Sequence, residues 1–191
     1  MSEPTMTGFP GAGEENTAHV IHLITQRLEQ GGIEHVVVAT TTGATAVRFA
    51  KALAKGGTHL VAVTHQVGLR EGDVSELLPK HEKALRAAGV RIVTTSHALS
   101  GVGRSISAKL GGVTPIEMIA HTLRLFGQGM KVCVEIAVMA ADAGAIPTDR
   151  DVITVGGTGR GADTAVVLRA AHANRFFDLQ LREVLCKPLS W

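Results

Sequence analysis

The sequence predicts an α/β domain in which a mostly parallel sheet is buried between helices. The chain is 45% hydrophobic but only 3% aromatic, and it contains no Tyr. Apolar residues that are mainly Val, Ala, Leu and Ile are typical of strands covered on both faces. Short apolar runs also alternate with segments of helical periodicity, and Gly residues end several of those segments.

The first half of the chain alternates strands with helices. A first helix begins at Asn16 or Thr17, either of which can cap it, and ends at Gly31. The elements that follow are strands over residues 34–40, 58–64 and 90–94, a helix over residues 43–55, and a helix over residues 73–88 opened by an Asp73 cap. Strands joined in this way lie side by side through right-handed crossovers.

The second half begins with helices. Residues 96–144 show no clear strand pattern, and helices are predicted over residues 102–110, 115–126 and 130–143. The run VCVEIAV in the last of these also fits a strand, but the length and the Ala-rich end favour a helix. Strands are then predicted over residues 151–155 and 164–168, and residues 178–185 alternate well enough for a sixth or an edge strand.

Length and charge set further limits. A chain of 191 residues predicts one domain over residues 15–191, after a loose Gly- and Pro-rich lead over residues 1–14. The net charge of +2 and the scattered Lys and Arg residues predict no nucleic-acid partner and no membrane partner. The sequence has no signal-peptide pattern and no apolar stretch of about 20 residues, so we expect a cytoplasmic protein. The high apolar fraction predicts a subunit interface and hence a homo-oligomer.

Two Gly- and Thr-rich loops form the strongest candidate site. The first follows the strand over residues 34–40 and contains Thr40, Thr41, Thr42, Gly43 and Thr45. The second follows the strand over residues 151–155 and contains Gly156, Gly157, Thr158, Gly159, Arg160, Gly161, Asp163 and Thr164. If these two strands are neighbours, the strand order reverses between them, and ligands of open parallel sheets bind at such a reversal.

Both loops carry groups suited to a phosphate, although each alone is equally typical of a plain turn. Gly43 allows close backbone approach at a helix N-terminus, which favours an anion. Arg160 offers a bidentate contact, and the Thr side chains offer hydroxyls. Gln128 and Gly129 precede a helix and form a further candidate corner. The first loop lacks the Gly-Lys-Ser/Thr end of a P-loop and the second matches GxGxxG only loosely, so nucleoside triphosphate hydrolysis is not indicated.

Several single residues are candidates for chemistry. His65 and His97 each follow a strand end and are candidate acid–base groups, although a structural hydrogen bond explains each equally well. Glu135 in an apolar helix is either a base with a raised pKa or, more commonly, the partner of an Arg or a helix end. Cys133 more commonly belongs to a core than acts as a nucleophile. Asp163 either orients Arg160 or a ligand, or belongs to a turn. No metal-ligand spacing is present.

The motifs resemble a known family. The stretch EHVVVATTTGATAVRFAKAL resembles the part of the pyruvate kinase C-terminal domain that grips a sugar phosphate effector, and GGTGRGADTAVVLR resembles its later Gly-rich effector loop. The stretches VTHQVGLREG, THALSGVGRSIS and LGGVTPIEMIAHTLRLFGQGMKVCVEIAVMAADAGAIP are similar to a family of stand-alone proteins of this type. The resemblance covers residues 16–188.

The resemblance implies three layers, α/β/α, around a mixed sheet of order 3-2-1-4-5 whose fifth strand is antiparallel. It does not extend to the catalytic barrel of pyruvate kinase, so it implies no kinase activity. Members of the stand-alone family look like binders of an FMN-type ligand. The resemblance therefore implies FMN as cofactor, with its phosphate on the two loops and the rest lined by His97, Ser100, Arg104, Gln128 and Lys131.

Two other functions stay open from the sequence. The chain is alternatively an enzyme on a small phosphorylated substrate, with His65 or His97 as the acid–base group. It is alternatively an effector-sensing subunit whose assembly changes when a phosphorylated ligand binds. All three hypotheses share a phosphorylated small molecule as the partner.

Overall fold

The computed structural model describes residues 6–54, 56–70 and 72–191, which form a seven-stranded sheet flanked by helices. The strands are β1 (Thr7–Phe9), β2 (His35–Ala39), β3 (His59–Val63), β4 (Arg91–Val93), β5 (Asp151–Gly156), β6 (Thr164–Arg169) and β7 (Gln180–Pro188). The helices are α1 (Thr17–Glu29), α2 (Ala44–Leu53), α3 (Pro79–Ala87), α4 (Gly101–Leu110), α5 (Pro115–Arg124) and α6 (Gln128–Asp142). Short 3-10 turns lie at Glu14–Asn16 and Ala173–Asp178.

The strand order is β1-β7-β6-β5-β2-β3-β4. Strands β4, β3, β2 and β5 are parallel, and β6 is antiparallel to β5. The predicted order 3-2-1-4-5 with an antiparallel fifth strand is therefore confirmed, and β7 and β1 extend the sheet beyond it. Because β2 lies between β3 and β5, the strand order reverses at β2 and β5.

Two apolar cores cover the two faces of the sheet. Side chains alternate along β2, so Val36 and Val38 face one core and Val37 faces the other. The first core includes the fully buried Ile24 of α1 and Phe49 of α2. The second core lies under α6. Helix α5 packs on α6 and α4 packs on α5, so this side is deeper than a single helical layer.

Helix α6 lies at the centre of the second core. Twelve of its 15 residues are buried, because the sheet covers one side and α5 covers another. The helix predicted over residues 130–143 is therefore confirmed, and the strand-like run VCVEIAV reflects burial on several sides rather than strand pairing. No helix within the described residues is long and apolar enough to cross a lipid bilayer.

Three sequence predictions need correction or fall partly outside the described residues. The lead over residues 1–14 is not loose throughout: Thr7–Phe9 pairs in parallel with β7, while residues 1–5 lie outside the described residues. The predicted helix over residues 73–88 begins only at Pro79, because Pro fixes φ for a first helical turn while the preceding Leu78 is extended. The helix predicted over residues 43–55 ends on Lys55, which lies outside the described residues, as does Glu71.

Candidate functional site

A cleft of about 730 Å³ lies at the carboxyl ends of β2, β3 and β5. It therefore occupies the reversal point of the strand order, where the sequence places its two loops. The cleft floor is aliphatic, and its walls are polar. The floor side chains are Ala39, Val63, Val132, Ile136 and Met139.

The loop after β2 is held in one shape by its own contacts. Gly43 has φ +90°, and a Cβ placed there would lie 2.6 Å from Cβ of His81, so the position requires Gly. The Gly43 amide donates to Thr40 Oγ1 at 3.1 Å. Nδ1 of His81 lies 2.7 Å from the Thr42 carbonyl oxygen, which ties the loop to α3. Thr41 and Thr42 are thereby fixed in the cleft wall beside the N-terminus of α2.

The loop after β5 is organised by one buried carboxylate. Oδ2 of Asp163 accepts hydrogen bonds from the amides of Gly13 at 3.2 Å and Thr158 at 2.9 Å. Oδ1 accepts from the Thr164 hydroxyl at 2.7 Å. Asp163 and Thr164 are fully buried, so they hold the loop from inside and do not reach the cleft. Arg160 is exposed and lines the cleft.

Two glycines bring the start of α6 against this loop. A Cβ at Gly129 would lie 2.1 Å from Thr164 Oγ1, and a Cβ at Gly156 would lie 2.5 Å from the Gly129 carbonyl oxygen. Neither contact leaves room for a side chain. Gly129 and Gly156 therefore allow α6 to pack closely on the end of β5 and the start of β6, and they do not line the cleft.

A buried ion pair lies behind one cleft wall. Lys131 and Glu135 are one turn apart on α6, are both buried, and form a salt bridge. Oε1 of Glu135 also accepts from the Leu99 amide at 2.9 Å. Burial lowers the pKa of Lys131, and the Glu135 carboxylate opposes that shift. Lys131 is thus engaged with Glu135 and does not line the cleft, whereas Glu135 does.

The cleft also carries a histidine–carboxylate pair. Nδ1 of His65 lies 2.6 Å from Oε2 of Glu76, and Nε of Arg70 lies 3.1 Å from Oε1 of Glu76. Since a carboxylate paired with Arg70 acts as an acceptor, Nδ1 of His65 is the nitrogen that donates to it, and Nε2 is the acceptor whenever the imidazole is neutral. The ring of His97 is edge-on to that of His65, with centroids 5.3 Å apart.

His97 has an altered acid–base character. Burial lowers its pKa, Glu135 opposes the shift, and His65 and Lys131 add to it. Its backbone amide donates to Gln66 Oε1 at 3.4 Å, which joins the turn after β4 to the segment after β3. His97 is therefore a neutral neighbour of His65 near pH 7.

The structure brings most of the predicted site together. The predicted residues that line the cleft are Thr40, Thr41, Thr42, Thr45, His65, His97, Gln128, Gly157, Gly159, Arg160 and Gly161. Besides those already described, Ser100 and Arg104 fall outside the lining because they lie at the start of α4, and the Thr158 hydroxyl is buried inside the loop.

Sequence patterns missed two charged residues of the cleft, Glu14 and Glu76. Glu14 lies in the segment expected to be loose. Glu76 falls within the helix that was predicted too early, where it reads as an ordinary exposed charge. No local pattern reports such contacts, because they depend on how irregular segments fold over the sheet edge.

The described residues give little support for a metal site or for a reactive cysteine. Across residues 6–54, 56–70 and 72–191, no group of three or more His, Cys, Asp or Glu side chains is placed to hold a metal ion. The Cys133 thiol donates to the Thr154 carbonyl oxygen at 3.4 Å, and burial raises its pKa far above the ordinary value. Cys133 is therefore a core residue and not a nucleophile.

Comparison with known proteins gives a family. A solved structure of O-ureido-L-serine synthase aligns with 70% of this chain at 16% identity and a TM-score of 0.32, and this chain spans about half (49%) of that one. A likeness at that level carries no argument about function. The family model described as "Pyruvate kinase, alpha/beta domain" matches residues 18–168, well over half of the chain. The match takes in both Gly- and Thr-rich motifs up to the end of β6, and the chain belongs to the pyruvate kinase alpha/beta domain family.

Proposed function

We propose that the cleft binds a phosphorylated small molecule, with FMN as the leading ligand. One observation carries the proposal: loops from the adjacent parallel strands β2 and β5 both line one cleft. Thr41, Thr42 and Thr45 contribute hydroxyls on one side, next to the positive end of α2. Arg160 contributes a guanidinium on the other side, suited to a bidentate phosphate contact.

The cleft dimensions and surface fit FMN. About 730 Å³ lies within the range of roughly 300–1,000 Å³ for small-molecule sites. The aliphatic floor and the rings of His65 and His97 would contact an isoalloxazine, since no Phe or Trp appears among the described cleft residues. FMN, when bound, supplies electron-transfer chemistry.

Titration of FMN with the purified protein, followed by flavin fluorescence, tests the proposal. We expect saturable binding that Arg160→Ala weakens by about tenfold or more, because a charge-assisted phosphate contact is lost. The control is Arg175→Ala, which removes an exposed arginine outside the cleft. If sugar phosphates bind and FMN does not, FMN is rejected as the ligand and the proposed phosphate site stands. Failure of every phosphorylated compound to bind would overturn the proposal.

The His65–Glu76 pair favours a second candidate function. Its geometry is that of an oriented imidazole facing a cleft, as acid–base catalysis requires. We propose, as the alternative, proton transfer on a phosphorylated carbonyl compound. The C–H proton next to the carbonyl moves to Nε2 of His65, and the electron pair moves to the carbonyl oxygen to give an enolate. The proton on Nε2 exchanges with solvent, and Nε2 then returns a solvent-derived proton to the carbon as the carbonyl re-forms.

Deuterium incorporation tests this alternative. Phosphorylated ketoses and aldoses are incubated with the protein in D2O and followed by proton NMR. Exchange that His65→Gln abolishes would support the alternative. His172→Gln is a matched control, because His172 also has Nδ1 beside a carboxylate, Asp142 at 3.1 Å, but lies outside the cleft. No exchange, with ligand binding intact, would reject catalysis and leave the binding function standing.

We also propose that the protein works in the cytoplasm. Cys133 and Cys186 are free and buried, which suits a reducing compartment. Fractionation of cells that express the chain, with detection by antibody, tests the location. Recovery in an extracellular or membrane fraction would contradict it.

A further inference from the structure

The three residues that follow Arg160 in the loop after β5 all contact one distant part of the chain. This part is residues 13–17, which lead into α1 and which we call the lead-in segment. Thr17 and Ala162, which are hydrogen-bonded, are 145 positions apart in the chain. The contacts therefore belong to the tertiary fold, and they hold the backbone directly beside the proposed phosphate contact.

The closest backbone contact is at Gly161, immediately after Arg160. A Cβ at Gly161 would lie 2.6 Å from Cα of Glu14, so the loop and the lead-in segment touch with no room for a side chain between them. Gly161 also has φ +71°, a conformation that favours Gly. Two residues further along, the Asp163 carboxylate accepts from the Gly13 amide. The stretch after Arg160 is thus held at both of its ends.

The middle of that stretch is held by the hydroxyl of Thr17, a residue with 0% exposure. Oγ1 of Thr17 accepts from the Ala162 amide at 3.0 Å and donates to the Glu14 carbonyl oxygen at 2.6 Å. The Ala162 residue is itself buried. A buried amide that loses its acceptor is costly, so removal of the Thr17 hydroxyl favours release of the loop.

Helix α1 gives Thr17 a fixed position. Thr17 is the first residue of α1, and Val20 and Ile24, one and two turns later, are fully buried in the first core. The anchor is therefore an extension of the core. The side chain of Arg160 is exposed by contrast, so the place of its guanidinium depends on the backbone that carries it.

Glu14 links the lead-in segment to the helix that follows the first loop. Its backbone touches Gly161, and its side chain lines the cleft. Its Oε1 lies 3.9 Å from Nη1 of Arg48 on α2. An exposed ion pair at that distance contributes little to stability, but it shows that the segment adjoins both halves of the proposed phosphate site.

We propose that Thr17 is a positioning residue of the phosphate site: through the Ala162 amide it holds the loop after β5 in the shape that presents Arg160 to the ligand. The inference rests on the proposed phosphate-binding function. A loop that is already ordered loses less conformational freedom when a ligand binds. A loop that is in the competent shape for about a tenth of the time binds about tenfold more weakly.

Titration of the Thr17→Val variant with FMN, by flavin fluorescence, and with inorganic phosphate, by calorimetry, tests the proposal. We expect about tenfold weaker binding at unchanged stoichiometry. Thr17→Ser keeps the hydroxyl and should bind as the unaltered protein does. Thr25→Val is the matched control, because the Thr25 hydroxyl lies on the same helix and donates to the Ile21 carbonyl oxygen within α1.

A double-mutant cycle with Arg160→Ala separates positioning from general destabilisation. If Thr17 acts by placing Arg160, the double variant should lose less affinity than the product of the two single losses. Single losses that multiply fully would overturn the proposal. Binding by Thr17→Val at the unaltered affinity, or an equal loss in Thr25→Val, would overturn it too.

Amide hydrogen exchange tests the loop without a ligand. Thr17→Val should speed exchange at Gly161 and Ala162 and leave the amides of β5 and β6 unchanged. If the unaltered protein binds FMN or phosphate and this exchange does not change, only the role of Thr17 is rejected. If it binds neither compound, the proposed function is rejected, and the role of Thr17 in it fails for that reason.

The unaltered protein carries the test if circular dichroism shows that Thr17→Val does not fold. A ligand that favours the ordered loop also favours the contact between loop and lead-in segment, because the coupling is reciprocal. Saturating FMN or inorganic phosphate should therefore slow exchange of the Gly13 and Ala162 amides. Exchange at both amides that the bound compound does not slow would overturn the proposal.

Discussion

Nδ1 of His65 lies 2.6 Å from Oε2 of Glu76, and this contact joins the end of β3 to the irregular segment before α3. The other oxygen of Glu76 faces Arg70, whose side chain is 77% exposed. Ion pairs this exposed contribute little to stability. We therefore assign the pair a positional role: it orients the imidazole and gives an irregular segment a fixed place in the cleft wall.

Gly43→Ala is expected to lower the free energy of unfolding by about 1–3 kcal/mol, because it combines a left-handed φ with a Cβ 2.6 Å from His81. Gly57→Ala is a matched control, since its φ is +67° and its Cβ would meet nothing within 4 Å. Urea denaturation measures both. Equal losses would show that the contact with His81 has no cost of its own.

Asp163→Ala is expected to cost about 2–4 kcal/mol, because it leaves the amides of Gly13 and Thr158 without their acceptor. Asp163→Asn should cost less, since its oxygen can still accept from the amides while its NH2 donates to the Thr164 hydroxyl. Thermal unfolding compares the two variants. If Asp163→Asn destabilises the protein more than Asp163→Ala does, this hydrogen-bond assignment is wrong.

Lys131→Met is expected to destabilise the protein by about 3–5 kcal/mol, because it leaves the Glu135 carboxylate buried without a counter-charge. The double variant Lys131→Met/Glu135→Gln should recover most of that loss. A double-mutant cycle in urea measures the coupling. If the stability losses of the two single variants add up to the loss of the double variant, the two side chains act independently.

Stability should fall as the pH drops below 6.5. The pKa of His97 is held below 6.5 mainly by burial, so the unfolded chain binds the proton first and acid favours unfolding. The pKa of His35 is lowered by burial and by His59 and contributes with the same sign. Unfolding free energies at about pH 7.5 and 5.5 measure the loss.

The His97→Gln variant isolates one part of that pH dependence. The variant should lose less stability between the two pH values than the unaltered protein. His35→Gln should reduce the loss separately. An unchanged pH slope in His97→Gln would show that His97 is not protonated more readily in the unfolded chain.

Both thiols should react slowly in the native protein. Burial raises the pKa of Cys186 to about 12, and that of Cys133 still further, so little thiolate forms near neutral pH. A thiol-reactive chromogenic disulfide should label neither cysteine quickly in buffer and both in urea. Fast labelling of the native protein would contradict the buried positions.

The order of the central strands could be predicted because each buried strand and helix leaves its own periodic pattern. The three-residue β1 leaves none, since its pairing depends on β7 at the other end of the chain. The start of α3 was misplaced because Asp73 is a good cap in isolation, while Pro79 and the tie from His81 to Thr42 set the actual start.

The candidate site was predictable where one continuous segment forms a wall. Both Gly- and Thr-rich loops reach the cleft for that reason. Gly129 and Gly156 show the limit: a Gly next to a candidate loop suggests ligand approach, yet here it admits a neighbouring backbone. Glu76 shows a second limit of prediction from sequence: its contact with His65 forms only when an irregular segment folds back over the sheet edge.

β1 covers part of the open side of β7. The pairs Thr7–Cys186 and Phe9–Pro188 occupy the end of a nine-residue strand that would otherwise expose unpaired amide and carbonyl groups. Uncovered strand edges recruit strands from other molecules and lead to aggregation. A three-residue edge strand offers fewer unpaired backbone groups than the nine-residue strand it covers, so it limits growth of the sheet from one molecule to the next.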